Sequence, residues 1–325
     1  MARLASSALP IRRDGLPQKV AWSHEGIRPS SPMIASRIAA ETLRFVPRKR
    51  LSRALGRVAA LGLPSPLLRR AIDLYVKAYQ VDLSECTVPE GGWASFNEFF
   101  TRQLRAGCRP IDDEPKSVVS PADGLVADCG EIDANSRFRV KGRTYEVGEL
   151  LGERRDAARF EGGKFAIIYL SPRDYHRVHA PVDGPVRLVR HVGGTLFPVN
   201  RIGLDHIPGL FAKNERVAVL QESPSHGEVA TILVGAIVVG GITLSFDSAV
   251  RTNDGPPRGT VRYLAGREPT LTRGDELGAF QLGSTVIVFL TRNTEIELTV
   301  EPGTVIRMGQ SIGRAIPGPL QKGRA

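Results

Sequence analysis

An α+β fold, helical toward the N-terminus and β-rich beyond it, follows from three features of this 325-residue sequence. From about residue 117 onward, short runs rich in β-branched residues alternate with Gly and Pro, as at 165–170, 230–234 and 235–239. Runs of that length and punctuation read as strands joined by tight turns. Residues 34–80 instead set apolar side chains at helical spacing between cations. A hydrophobic content of 42% can fill a sizeable core at this length.

In chain order, residues 1–33 form a weakly ordered arm: Arg3, Arg12, Arg13, Lys19 and Arg28 occur with few acids and no apolar core of a secretory signal. Residues 34–107 form the helical region. Ser31-Pro32 and Ser65-Pro66 each place a capping hydroxyl before a proline at the first helical position. Leu67, Leu68, Ala71, Ile72, Leu74, Tyr75, Ala78 and Tyr79 fall on one wide face. Between Glu41 and Asp73 no acid relieves Arg44, Arg48, Lys49, Arg50, Arg53, Arg57, Arg69 and Arg70, so these amphipathic segments suit an anionic bilayer interface. Charge reversal at Arg48, Lys49 and Arg50 should then weaken vesicle binding. Ser95-Phe96-Asn97-Glu98 is a capping box that opens a short helix through Phe99, Phe100 and Leu104. After Cys108-Arg109-Pro110 the β-rich domain, 108–325, begins. Within it, Pro121-Ala122-Asp123-Gly124 and Pro181-Val182-Asp183-Gly184 repeat a unit suited to tight turns. Neither site offers the lysine that a lipoyl-type carrier hairpin needs at its tip.

The net charge of +10 implies an acidic partner surface. Aromatic content of 6% and the lack of a nucleic-acid fingerprint favour anionic lipid over nucleic acid. No apolar run approaches the roughly 20 residues that cross a bilayer. Cys86, Cys108 and Cys129 lack metal-ligand spacing and an even-numbered framework, which points to a reducing compartment with neither disulfide nor zinc.

Two segments carry chemistry. Tyr169 to Pro181 holds His176 and His179 beside Asp174; Pro172 and Pro181 bracket it, so a turn is expected to bring both rings toward one site. The pair could ligate a metal, sit as satisfied structural histidines, or supply a general base oriented by Asp123 or Asp174. The second segment is Gly283-Ser284 ahead of the apolar run Val286 to Leu290, which puts a hydroxyl at the mouth of a buried strand. Such a serine could merely open the strand, act in a hydrolase without the Gly-x-Ser-x-Gly elbow, or add to the Gly283 carbonyl. The last route turns the amide into an ester, and β-elimination then splits the chain to leave a pyruvoyl group.

Six motifs in order, Phe96 to Arg102, Pro121 to Gly124, Tyr169 to Pro181, Gly194 to Asn200, Phe211 to Val217 and Leu282 to Ile287, resemble those of the phosphatidylserine decarboxylase proenzymes, most of all the bacterial membrane-associated type. The resemblance implies cleavage after Gly283 into a β chain, 1–283, and an α chain, 284–325, that begins with a pyruvoyl group made from Ser284. It implies His179 as the base for self-cleavage, Asp123 as its orienting carboxylate with Asp174 as a second candidate, and His176 as a group for decarboxylation. The implied reaction converts phosphatidylserine to phosphatidylethanolamine and CO2 through a Schiff base on the pyruvoyl cofactor, without a metal. The implied setting is the cytoplasmic face of the cell membrane, with the α and β chains held as a heterodimer and further dimerisation an open alternative.

Overall fold

The computed structural model describes residues 47–237, 241–281, 284–292 and 295–316. The arm 1–33, Ser31-Pro32 and the basic stretch before residue 47 lie outside them.

Helix α1 spans Arg48–Ala60, α2 Ser65–Tyr79 and α3 Phe96–Phe100. The expected cap at Ser65 is not used: Pro64 takes that position, Ser65 is already helical, and no side chain caps the helix. Proline's fixed φ starts the helix without help from the hydroxyl. Ser95 does cap α3, accepting the Glu98 N–H at 3.1 Å, while the Glu98 carboxylate reaches back to Ala94 N–H rather than to that of Ser95. Leu104 lies beyond the end of α3.

The first strands are β1 (Ser117–Val119), β2 (Gly124–Glu131), β3 (Arg137–Val140), β4 (Arg143–Glu146), β5 (Lys164–Leu170) and β6 (Arg177–His179). Next come β7 (Gly184–Val192), β8 (Arg216–Ser223), β9 (Gly227–Val234), β10 (Gly241–Leu244), β11 (Gly259–Arg262) and β12 (Thr270–Leu271). The last are β13 (Glu276–Gln281), β14 (Ser284–Leu290), β15 (Ile296–Leu298), β16 (Val305–Ile306) and β17 (Ser311–Ala315). The main sheet runs β11-β7-β8-β9-β14-β5-β2-β16 with β12 also on β7, and a smaller sheet runs β10-β13-β6. A strand was expected at 235–239, but β9 ends at Val234 and 235–237 are not extended into a ladder.

The whole of β14 is buried because both faces of its sheet are covered. Val286, Val288 and Leu290 pack on one side with Val178, Leu277 and Phe280 from the smaller sheet. Ile287 and Phe289 pack on the other with Phe138, Leu150, Phe160 and Phe211. A continuous apolar run is what a strand buried on two faces requires. The repeated Asp-Gly units also gain a reason: a Cβ at Gly124 or Gly184 would lie 2.4 Å or 2.2 Å from a carbonyl oxygen of the adjoining strand, at Tyr169 and Glu222.

The helical region has a small core of its own, Leu68, Ile72, Val81 and Phe99. The wide face expected on α2 is therefore divided. Leu68 and Ile72 turn inward, whereas Leu67, Leu74 and Tyr79 remain exposed, as do Leu51, Val58 and Leu61 on and just after α1. The cations are divided as well. Arg48 donates to Thr195 Oγ1 at 3.1 Å and lies 3.9 Å over the Phe197 ring, and Lys49 pairs with the buried Glu215 at 3.5 Å. These two hold α1 to the body, while Arg50, Arg57, Arg69 and Arg70 are exposed.

Candidate active site

Strand register assembles the site. Ser284 opens β14 opposite Leu170, the last residue of β5. The His176 carbonyl accepts from Phe280 N–H near the end of β13, at 3.0 Å. The segment 171–175 is thereby held at one end against the head of β14 and at the other against the end of β13, which sets the serine beside the turn that leads to His176. Alternation along β14 puts Ser284 on the face of Val286 and Val288, toward the smaller sheet. Leu282 and Gly283, the other residues of the expected cleavage site, lie outside the described residues.

Ser284 is 1% exposed and its Oγ has no partner. His176 is wholly buried with both ring nitrogens unpartnered, and its ring stacks on Phe100 at 4.1 Å and 20°. Burial, aided by the Arg102 cation, pushes its pKa down to about 3, so the imidazole is neutral at physiological pH. Arg102 donates through Nη2 to the carbonyls of Arg173 at 2.9 Å and Asp174 at 3.2 Å and leaves Nε and Nη1 unpartnered. Of the twelve buried side-chain polar atoms without a partner among the described residues, five belong to Ser284, His176 and Arg102. Each such atom costs about 1–3 kcal/mol, so their concentration marks this junction as a place built to receive polar chemistry.

The buried neutral ring has a consequence for stability. Since its folded pKa is depressed, the unfolded chain binds more protons below about pH 6.5, and stability falls as pH drops toward the folded value of about 3. Between pH 7 and 4.5 this one group should remove stability on the order of 2 kcal/mol. Urea unfolding of Ser284→Ala chains with and without His176→Gln checks this. The second substitution should flatten the acid slope, and equal slopes would contradict it.

His179 is placed differently from expectation. Residues 169–181 do not make one turn. Asp174 Oδ2 accepts from Ser171 N and Oγ at 2.7 Å each, which closes a turn at 171–174, and His179 then lies in β6. No hydrogen bond or ring contact joins the two imidazoles among the described residues. His179 Nδ1 donates to the Gly274 carbonyl at 2.8 Å, which leaves Nε2 to accept from Tyr175 Oη at 3.1 Å. Burial lowers its pKa, opposed by the Gly274 carbonyl and by the charges of Glu276 and Asp123.

Neither expected carboxylate bonds this ring. Asp123 is gripped by Arg109 Nε at 2.9 Å and 3.1 Å and accepts the Met308 N–H at 2.8 Å; Arg109 also holds Glu85 at 2.7 Å. Asp174 is committed to Ser171, and burial raises its pKa. Tyr175 and Gly274 therefore orient His179. Tyr175 could have been suspected from its place between the histidines, but a backbone carbonyl from Gly274 leaves no mark in a sequence. Among the described residues no group of three or more His, Cys, Asp or Glu is placed to hold a metal.

Fold and site together define an α+β enzyme whose buried polar groups gather where a central strand begins. A family model described as phosphatidylserine decarboxylase matches residues 96–314. The phosphatidylserine decarboxylase proenzyme of Bordetella pertussis is 44% identical over 274 residues, covering 82% of this chain and 91% of that protein. Those of Brevibacillus brevis and Shewanella loihica are 40% and 41% identical, covering 82% and 83% of this chain and 94% and 96% of theirs. The chain belongs to the phosphatidylserine decarboxylase family.

Proposed function

We propose that this chain is a self-processing decarboxylase that converts phosphatidylserine to phosphatidylethanolamine and CO2, with a pyruvoyl group derived from Ser284. The observation that carries the reading is a buried, unpartnered Ser284 hydroxyl at the head of β14, beside the His176 turn, in a chain of this family. The residues fit that group, since Ser284 needs only its own backbone to form it and the two unpartnered imidazole nitrogens of His176 lie in the segment that follows its strand partner Leu170. Serine is a poor nucleophile until a base takes its proton. His179 serves as that base once its Nε2 exchanges the Tyr175 hydroxyl for Ser284, while the Gly274 carbonyl keeps the tautomer fixed. Ser284 Oγ then adds to the Gly283 carbonyl, the peptide nitrogen leaves as the ester forms, elimination frees the carboxyl end of Gly283 and leaves a dehydroalanine at 284, and water hydrolyses its imine tautomer to the ketone with release of ammonia. Asp123 with Arg109, and Asp174 with Ser171, act by fixing the strand and turn that carry the histidines. The pyruvoyl ketone supplies the electron sink into which the bond to CO2 collapses. The neutral His176, with one ring nitrogen donating and the other accepting, relays a proton from water to the carbon that has lost CO2.

After processing the two chains stay paired, because β14 lies between β9 and β5, and Met308 N–H still reaches Asp123. Release of CO2 and an ethanolamine head group from phosphatidylserine vesicles tests the activity, and a folded protein that leaves the lipid unchanged would refute it.

No helix among the described residues is long and apolar enough to cross a membrane. The exposed leucines of α1 and α2 beside Arg50, Arg57, Arg69 and Arg70 suit a peripheral seat on anionic lipid at the cytoplasmic face of the cell membrane. Arg48 and Lys49 are poor probes because they dock α1. Reversing the four exposed arginines to Glu should weaken sedimentation with anionic vesicles at least about tenfold, at roughly 1 kcal/mol per charge. Unchanged binding would reject the membrane face.

A further inference from the structure

We propose that Phe100 and Tyr75, with Arg102, are positioning residues that hold His176 for decarboxylation, so that the helical region is part of the reaction site as well as its anchor. The inference rests on the function proposed above.

A working histidine is ordinarily aimed by a hydrogen bond to one ring nitrogen. His176 has no such bond of good geometry, its ring only approaching the carbonyls of Ser171 and Pro172, although it is fully buried. What fixes its plane is the Phe100 ring, stacked at 4.1 Å and 20°. Contact through the ring face leaves both edge nitrogens open to reactants. Ordinary packing does not account for this geometry, because the other aromatic contacts of Phe96, Phe99 and Phe100 lie between 60° and 81°. The parallel contact in this group is the one made to the imidazole.

The backbone that carries the ring is gripped from the same side. Tyr75 Oη on α2 donates to the Pro172 carbonyl at 2.9 Å. Arg102 holds the carbonyls of Arg173 and Asp174, and Arg177 Nε returns a bond to the Thr101 carbonyl at 2.9 Å. The turn from Pro172 to Arg177 is thus held by residues 75–102, while α2 presents Leu67 and Leu74 outward on its other face. His179 makes none of these contacts itself, and although its partner Tyr175 lies in the clamped turn, the Phe100 ring contact bears on His176 alone of the two histidines.

The experiment measures self-cleavage and then decarboxylation of a short-chain phosphatidylserine kept below its aggregation limit, so that membrane binding does not enter. Phe100→Leu should process like the wild type, lose about tenfold or more in kcat, and hold KM within about twofold. Phe100→Tyr, which keeps a stacked ring, should retain kcat within about threefold. A Phe100→Leu enzyme with unchanged kcat, a loss confined to KM, or a Phe100→Tyr enzyme as slow as Phe100→Leu would overturn the proposal. Should Phe100→Leu fail to fold, Tyr75→Phe decides: a severalfold fall in kcat at constant KM supports the clamp, and an unchanged kcat overturns it. Failure of the underlying reading would look different, with the wild type itself uncut or inactive.

Discussion

Ser284→Ala is expected to yield one unbroken chain with no decarboxylase activity. The Oγ is the atom that must attack the preceding carbonyl, and no neighbouring hydroxyl can replace it: Thr285 alternates to the opposite face of β14. The fold should tolerate the change. Ser284 is 1% exposed with an unpartnered hydroxyl, so removing it eliminates a desolvation cost of order 1 kcal/mol and leaves the strand's backbone pairing with Leu170 intact. The expected loss of activity is therefore chemical, at least about 10⁴-fold, in a protein at least as stable as the parent. A denaturing gel and a CO2 assay on the same preparation measure both parts. Persistent cleavage in the variant would remove Ser284 from the mechanism.

The second large effect should divide the two histidines. His179→Ala should slow self-cleavage by about 10²–10⁴-fold, the usual worth of a general base, and leave precursor without activity. His176→Ala should be cut normally yet lose about 10²-fold or more in decarboxylation. The structure makes this division sensible, because the rings sit in separate environments. His179 is held by Gly274 and Tyr175, whereas the His176 ring is stacked on Phe100. The reverse pattern, with uncut His176→Ala and well-cut His179→Ala, would exchange their roles. It would make the unpartnered nitrogens of His176 the base beside Ser284.

Much of this architecture was legible before any coordinates. The run from Val286 to Leu290 could only be satisfied by burial on both faces, and it lies in the middle of the main sheet. The Ser95 cap and the Gly at each Pro-x-Asp-Gly unit are local devices, so a few residues of sequence suffice to reveal them. Less legible were the features that depend on distant partners. Arg48 and Lys49 look like any other cations of a basic helix until Thr195, Phe197 and Glu215 come to meet them from about 150 residues away. The family resemblance implies Asp123 as the carboxylate that orients His179, and nothing local to Pro121 to Gly124 tells which cation or amide will reach its oxygens. Arg109 and the Met308 N–H compete for the same oxygens and win, since a guanidinium can grip a carboxylate with two bonds. The prolines at 172 and 181 point to one turn that would bring His176 and His179 together, and they mislead because the chain re-enters a strand before Pro181. The answer was a turn followed by a strand, fixed by the Ser171 to Asp174 bonds and by pairing of β6 with β13.

The most direct test is a mass measurement on freshly purified, denatured wild-type protein. The account predicts two polypeptides, residues 1–283 and 284–325, the smaller blocked to N-terminal sequencing and lighter than its unmodified sequence in the way that replacing an amine by a ketone requires. A single intact mass for all 325 residues, in a preparation that consumes phosphatidylserine, would contradict it.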